Sequence, residues 1–226
     1  DVPHLFTMER VDEALSRIIG LKVSMGLFKK QKENTLVPGE EALQVLGNEE
    51  FQKLAKECAE KSVTLVKDEE HLLPITPETH KRLIVYVMGD REDFYGNKKV
   101  SSRFMEQLKA QGFEVDTFDY SVHFPNPNET MQSFIDKYDA AIYVLSEGTS
   151  SNQTTVRLTW NLPLANDAPW FINDIPTIAI SFANPYHLRD MPELGTYINA
   201  YTTNDFNVEA VVEKLMGKSE FTGKNP

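Results

Sequence analysis

Three continuous apolar runs constrain the fold of this 226-residue chain more than any other feature. They read LIVYVM at 83–88, AAIYVL at 140–145 and TIAISF at 177–182, and such runs are typical of strands buried on both faces. The predicted elements between and after them are helices at 98–111, 131–138 and 208–216 and strands at 113–119 and 196–201. Strands that alternate with helices predict an α/β fold, a doubly wound, mostly parallel sheet sandwiched by helices.

A further amphipathic helix is predicted within LAKECAEKSVTLVKDEEHLLPI at 54–75, followed by a short strand and a proline stop. Small and apolar residues recur at three- and four-residue spacing on one face: Ala55, Cys58, Ala59, Ser62, Val63 and Val66. We expect this face to pack on the sheet and Cys58 to be a buried, unreactive thiol. Because Cys58 is the only cysteine, an internal disulfide and a cysteine-based zinc cluster are excluded.

The N-terminal region predicts a helix over 8–27 that Thr7 can cap. Its apolar positions are Val11, Ala14, Leu15, Ile18, Ile19, Leu21, Val23 and Met25. The polar stretch 29–47 that follows contains Pro38-Gly39 and has no sustained period. It predicts a linker with a short turn of helix at 40–45.

The charge balance bears on partners. A formal net charge of −11 would repel a phosphate backbone, so nucleic acid is excluded as a partner class. No apolar run approaches the roughly 20 residues that a membrane span needs. The sequence leaves the compartment open between cytoplasm and cell surface or secretion.

Several stretches resemble glycoside hydrolase family 3. MERVDEALSRIIGLKVSMGLF at 8–28 is similar to the helix that closes the barrel domain of that family, and 54–75 resembles the join between its two domains. Towards the C-terminus, SFANPY at 181–186, TYINAY at 196–201 and FTGKNP at 221–226 resemble further motifs, with Asn225 in place of the usual leucine. The resemblance covers nearly the whole chain and fits the β-N-acetylhexosaminidase branch that carries an extra C-terminal domain.

This resemblance implies a domain organisation. Residues 1–28 would be the terminal helix of a missing TIM-like barrel, 29–47 a linker and 48–226 the C-terminal α/β sandwich domain. Since the chain opens at Asp1-Val2-Pro3 without an initiator methionine, we expect a piece of a longer polypeptide. The implied partners are the barrel domain of the same polypeptide and a carbohydrate bound by the parent enzyme. If the helix over 8–27 has no barrel to pack on, we expect a second copy of the chain to associate through its apolar face.

The resemblance also implies an activity for the parent enzyme and not for this chain. Family 3 enzymes use a retaining mechanism with an aspartate nucleophile in an S-D context, and the acetylhexosaminidase branch adds a K-H-(F/I)-P-G-H-G motif. Neither pattern occurs here. We therefore expect a catalytically incomplete chain whose parent removes terminal N-acetylglucosamine from glycans or cell-wall fragments without a cofactor.

Neither a nucleotide nor a metal site is predicted. The text after the first apolar run, Gly89-Asp90-Arg91-Glu92-Asp93, is acidic and lacks G-x-G-x-x-G, so it would repel phosphates. The five histidines show no metal-ligand spacing; they are His4, His71, His80, His123 and His187.

Glu147 is the one candidate catalytic residue, because it follows the 140–145 strand at the edge where α/β sheets bind ligands. In the β-glucosidase branch a glutamate of the second domain is the acid/base, in an E-G-x-D-R-type loop. Here no Asp-Arg pair follows Glu147, and Arg157 comes too late for that pattern. The loops 89–96, 147–153 and 183–187 are predicted to form a rim of the substrate cleft, through Asp90, Arg91, Glu147, Ser150, Asn152, Gln153 and His187.

Two other interpretations stay open. The chain could be a free-standing binding or interaction module of flavodoxin-like topology, or the domain of a family 3 β-glucosidase that supplies an acid/base glutamate.

The aromatic residues Trp160, Trp170 and Phe171 could stack on sugar rings. Their apolar setting instead predicts packing in the core or at a domain interface.

Overall fold

The computed structural model describes residues 7–90, 99–119, 130–148, 156–160 and 165–225. The chain divides into two compact units, Asp1–Gln52 and Lys53–Pro226. Within the described part of the chain, no helix is both long enough and apolar enough to cross a membrane.

The first unit is built from short helical elements. They are α1 (Met8–Ser24), α2 (Leu27–Lys32), a 3-10 helix (Glu40–Val45) and the opening turn of α3 (Glu49–Ser62). The predicted cap of α1 is present, since the Thr7 hydroxyl accepts a hydrogen bond from the Arg10 N–H at 3.2 Å. Among residues 7–52 none is buried, so the described part of this unit has no core of its own.

The second unit is a six-stranded sheet with helices on both faces. Its strands are β1 (Thr64–Asp68), β2 (Arg82–Met88), β3 (Glu114–Thr117), β4 (Ala140–Leu145), β5 (Thr177–Ser181) and β6 (Thr196–Asn199). In the described part of this unit the helices after α3 are α4 (Val100–Ala110), α5 (Met131–Lys137), a 3-10 turn (His187–Arg189) and α6 (Asp205–Leu215). The strand order is β1-β6-β5-β4-β2-β3, and among these described strands only the edge pair β1–β6 is antiparallel. This confirms the prediction of a mostly parallel, doubly wound α/β sandwich.

Alternate side chains of the central strands build two cores, one on each face of the sheet. On one face Leu83, Ile142 and Ile178 pack with apolar residues of α4 and α6. On the other face Tyr86 stacks on Tyr143 with ring centroids 4.6 Å apart. Burial on both faces explains why these strands appear in the sequence as unbroken apolar runs.

The aromatic residues singled out in the sequence join the second of these cores. Phe171 is fully buried and Trp160 packs against the same cluster, which confirms packing for both. Trp170 stays 39% exposed while its ring meets that of Phe171 edge-on.

The buried side of α3 agrees with the predicted one at Ala59, Ser62 and Val63 but does not extend to Ala55 and Cys58. Cys58 is exposed, so the expectation of a buried thiol is wrong. The covered stripe runs through Ala59 to Val63, four residues on, and Lys56 beside it pairs with Glu209 of α6 at 2.8 Å. The physical reason is that this stripe is narrow, so a residue one position away already turns to solvent.

The C-terminal tail closes onto the junction of α3 and β1. A Cβ placed on Gly223 would lie 2.8 Å from the Ser62 carbonyl oxygen and 2.9 Å from that of Val63, so only glycine permits this approach. The tail is also held by Lys214 of α6, whose buried ammonium group donates to the Glu220 carbonyl. Burial lowers the pKa of Lys214.

Candidate functional site

The candidate site lies at the carboxyl edge of the sheet, between β2 and β4. The chain passes from β2 to β3 on one side, whereas β4 leads to β5 and β6 on the other. In open α/β sheets such a reversal creates a crevice outside the strand ends, where ligands bind. Here the Ser146 N–H donates to the Met88 carbonyl at 2.9 Å, which places the residues after the two strands side by side.

Glu147 fills this crevice. Its half-buried side chain lies over Gly89, where an added Cβ would come within 2.5 Å of the Glu147 Cγ and Oε1 atoms. Gly89 also has φ +71°, a left-handed conformation that disfavours other residues. The sequence therefore supplies glycine at the position where the glutamate side chain crosses the backbone.

Asp90, a predicted rim residue, caps a helix. Its carboxylate accepts the backbone N–H of Val100 at 3.3 Å and that of Ser101 at 2.9 Å. Both donors belong to the first turn of α4, where free N–H groups and the helix dipole favour a negative charge. The carboxylate is thereby committed to a structural role on this edge.

His187 lies behind Glu147 and is 1% exposed. Its Nε2 atom is 3.3 Å from the Glu147 carbonyl oxygen, and its Nδ1 atom is 3.4 Å from Oδ2 of Asp190. Asp190 also accepts from the Leu158 N–H at 3.2 Å and from Nε of Arg157.

The environment of Asp190 favours its ionised form. Burial by itself raises the pKa of this carboxyl, but the Leu158 N–H, the Arg157 guanidinium and His187 together outweigh burial and lower the pKa below 3.8. The arrangement therefore holds a negative charge beside the imidazole ring.

The structure brings together part of the predicted rim. Gly89, Asp90, Glu147 and His187 converge on one edge, and a Cβ on Gly148 would lie 3.6 Å from Cβ of Ala183 in the third predicted loop. The remaining predicted residues lie outside the described part of the chain: Arg91, Ser150, Asn152 and Gln153.

Sequence reasoning missed the contacts of Asp190 with His187 and with Arg157. The spacing of His187 and Asp190 by three residues was the available signal, since such residues meet across a helical turn. In the described ranges, no cluster of three or more histidine, cysteine, aspartate or glutamate residues is arranged to hold a metal ion.

Comparisons with known proteins fit this architecture. No family model matches the chain. A β-N-acetylglucosaminidase/β-glucosidase of Cellulomonas fimi is 33% identical over 225 residues, which is 98% of this chain and 39% of the relative. A protein named as probable β-glucosidase C of Aspergillus oryzae is 23% identical over 223 residues, 98% of this chain and 30% of the relative.

Solved structures extend the likeness. A β-glucoside phosphorylase matches with a TM-score of 0.83 and 38% identity over 97% of this chain and 38% of that one. A family 3 β-N-acetylglucosaminidase from Paenibacillus sp. FPU-7 shares the fold at a TM-score of 0.56 and 18% identity, over 97% of this chain and 39% of that one.

The fold and its edge crevice define an α/β sandwich domain. The chain spans 39% and 30% of the two curated relatives. Over nearly its whole length it is similar to parts of these relatives, and it shares its fold with a glycoside hydrolase family 3 β-N-acetylglucosaminidase.

Proposed function

We propose that this chain is the accessory C-terminal domain of a family 3 enzyme that removes terminal β-linked N-acetylglucosamine, and that it is not catalytic alone. The observation that carries the proposal is the 33% identity to the Cellulomonas fimi β-N-acetylglucosaminidase/β-glucosidase, which runs through 98% of this chain.

The chemistry of the edge supports an accessory role. A retaining glycosidase needs a nucleophile and a proton donor about 5–5.5 Å apart. Glu147 is folded against Gly89, Asp90 caps α4, and Asp190 is held by Arg157 and His187. The S-D context of the family nucleophile is absent from the sequence.

The domain organisation is part of the proposal. Residues 1–28 would be the closing helix of a TIM-like barrel, 29–47 a linker and 48–226 the accessory domain. The exposed apolar residues of α1 support this, among them Leu15 at 46%, Ile18 at 53% and Leu21 at 62% exposure. A helix with such a stripe is stable when a partner covers it. The barrel domain of the same polypeptide is the proposed partner.

In the absence of that barrel, we expect the isolated chain to self-associate weakly through α1. Light scattering should then show a mass that rises with protein concentration, and Ile18→Gln should reduce the rise because it breaks the apolar stripe. Lys22→Gln, on the same helix, is the matched control. A strictly monomeric mass at high concentration would contradict the expectation.

We further propose that the carboxyl edge of the sheet forms a rim of the substrate cleft, through Asp90, Arg91, Glu147, Ser150, Asn152 and Gln153, with the buried His187 supporting this rim from behind. The position of Glu147 in the crevice at the strand reversal supports this, because ligands of α/β sheets bind there.

The test compares the full-length enzyme with the chain alone. Chromogenic β-N-acetylglucosaminide and β-glucoside are supplied to each, and we expect turnover by the full-length enzyme and none by the chain. Activity of the isolated chain would overturn the accessory role. A native polypeptide without a barrel would instead favour the free-standing binding module.

A second candidate activity for the parent is phosphorolysis of β-glucosides. It rests on the 38% identity and TM-score of 0.83 to a β-glucoside phosphorylase. The same assay separates the two activities, since a phosphorylase requires inorganic phosphate and releases a sugar 1-phosphate, whereas a hydrolase releases the free sugar without phosphate. Glu147→Gln tests the β-glucosidase alternative, in which loss of an acid/base would lower kcat.

A further inference from the structure

The two stems of the chain segment that follows β4 meet at one pair of side chains. The outgoing stem is Glu147, two residues after the end of β4, and the returning stem is the stretch 156–160, which contains Arg157 and Leu158. The outgoing stem is contacted through the Glu147 carbonyl by Nε2 of His187 at 3.3 Å. The returning stem is held by Asp190, which accepts from the Leu158 N–H at 3.2 Å and from the Arg157 guanidinium.

His187 and Asp190 also contact each other, so the two stems are joined through them. The Nδ1–Oδ2 distance is 3.4 Å, and the two side chains are 1% and 7% exposed. Arg157 covers Asp190 from the solvent side and is itself 70% exposed. The pair is therefore anchored inside the domain, on the segment that follows β5.

The ring of His187 faces an oxygen acceptor at each nitrogen. A neutral imidazole has one N–H and can donate to one of these oxygens, whereas the protonated ring donates to both. One of the two acceptors is the backbone carbonyl of Glu147, the residue whose side chain fills the crevice over Gly89.

We infer that His187 is a positioning residue: with Asp190 it clamps both stems of the segment after β4 and so fixes Glu147 in the crevice at the strand reversal. Glu147 is then located by two contacts, the Gly89 surface under its side chain and the His187 ring at its carbonyl. The consequence for catalysis rests on the proposed function, in which this edge borders the substrate.

The experiment uses the full-length enzyme and three variants. His187→Ala removes both ring contacts, and His187→Gln keeps an amide N–H that can donate to the Glu147 carbonyl. His80→Ala is the matched control. His80 lies just before β2, at the amino ends of the parallel strands and away from the carboxyl edge, and it contacts the Thr79 hydroxyl. Hydrogen–deuterium exchange is followed in peptides covering 144–148 and 156–160, and kcat and KM are measured with the chromogenic substrate that the enzyme turns over.

We expect His187→Ala to speed exchange in 144–148 about tenfold, as loss of one buried hydrogen bond allows. His187→Gln should restore most of that protection, and His80→Ala should leave both peptides unchanged. KM should rise several-fold in His187→Ala while kcat stays within about twofold, because a displaced rim weakens substrate binding and not the chemical step.

Unchanged exchange in 144–148 for His187→Ala, or equal exchange for the Ala and Gln variants, would overturn the inference. If His187→Ala fails to fold, the comparison of His187→Gln with wild type in 156–160 still decides it, since loss of the Nδ1 contact should loosen the returning stem. A wild-type enzyme inactive on every sugar substrate would remove the proposed function, while the exchange result would still decide the clamp.

Discussion

The two units of this chain have similar sequence patterns and opposite burial. α1 in the first unit and α4 in the second are both amphipathic, but α4 buries Val100, Phe104 and Leu108 whereas α1 buries no residue. The difference teaches that an apolar stripe predicts a packed face without saying which part of the polypeptide provides the partner. In the second unit the sheet is the partner, and for the first unit we propose the barrel of the parent enzyme.

The largest expected contrast comes from one substitution made in each unit. Leu83→Ala should lower the free energy of unfolding by about 2–5 kcal/mol, because Leu83 is fully buried and leaves a cavity. Leu21→Ala should change it by less than about 0.5 kcal/mol, because Leu21 is 62% exposed.

Urea unfolding of the isolated chain at low concentration, followed by far-UV circular dichroism, measures both variants, because the helices of both units contribute to that signal. Equal losses for Leu83→Ala and Leu21→Ala would break the comparison, since they would require α1 to be packed in a core.

A second contrast uses glycine. Gly223→Ala should destabilise the second unit by about 1–3 kcal/mol, because the new methyl group would press on the carbonyl oxygens of Ser62 and Val63. Gly20→Ala, in the interior of α1, meets nothing within 4 Å and should stabilise that helix by about 1 kcal/mol.

Thermal denaturation reports the first change and amide exchange within α1 the second. A neutral Gly223→Ala variant would mean that the C-terminal tail does not press on the junction of α3 and β1.

The smallest contrast concerns acid stability. The Arg82 side chain, which contacts Asp139 at 2.6 Å, lowers the pKa of this carboxyl, with a further contribution from the Arg82 N–H. A lowered folded-state pKa means that the stabilisation is complete above the ordinary value of 3.8 and is lost as the pH falls through the folded-state pKa.

Asp139→Asn should therefore lower the thermal midpoint by about 2–4 °C at pH 7. It should also remove the loss of stability that protonation of Asp139 causes as the pH falls. Glu13→Gln, in the exposed Arg10–Glu13 pair of α1, is the matched control and should change nothing measurable. An Asp139→Asn variant with unaltered acid unfolding would contradict the role of the pair.

The central fold was predictable because each central strand is a continuous apolar run, which is visible in a few neighbouring residues of the sequence. The predicted strand at 140–145 coincides with β4, while 113–119 and 196–201 shorten to Glu114–Thr117 and Thr196–Asn199. Strand ends depend on which neighbour offers a hydrogen-bonding partner, and that neighbour is distant in sequence. The antiparallel pairing of β1 with β6 has the same origin.

The candidate site was predictable only in outline. Strand ends locate Glu147 and His187 at one edge, because parallel strands share a direction. The contact between His187 and the Glu147 carbonyl, and the one between Asp190 and Leu158, join residues more than 30 positions apart. No local pattern encodes such distances.

The sequence by itself determined the α/β class, the parallel central strands, the amphipathic helices and the resemblance to a known family, since these depend on side-chain periodicity and short motifs. Only the tertiary structure decided that Cys58 is exposed, that Asp90 caps α4 and that Gly89 makes room for Glu147. The physical reason is that burial and hydrogen bonding depend on which distant segments meet, whereas periodicity depends on neighbours along the chain.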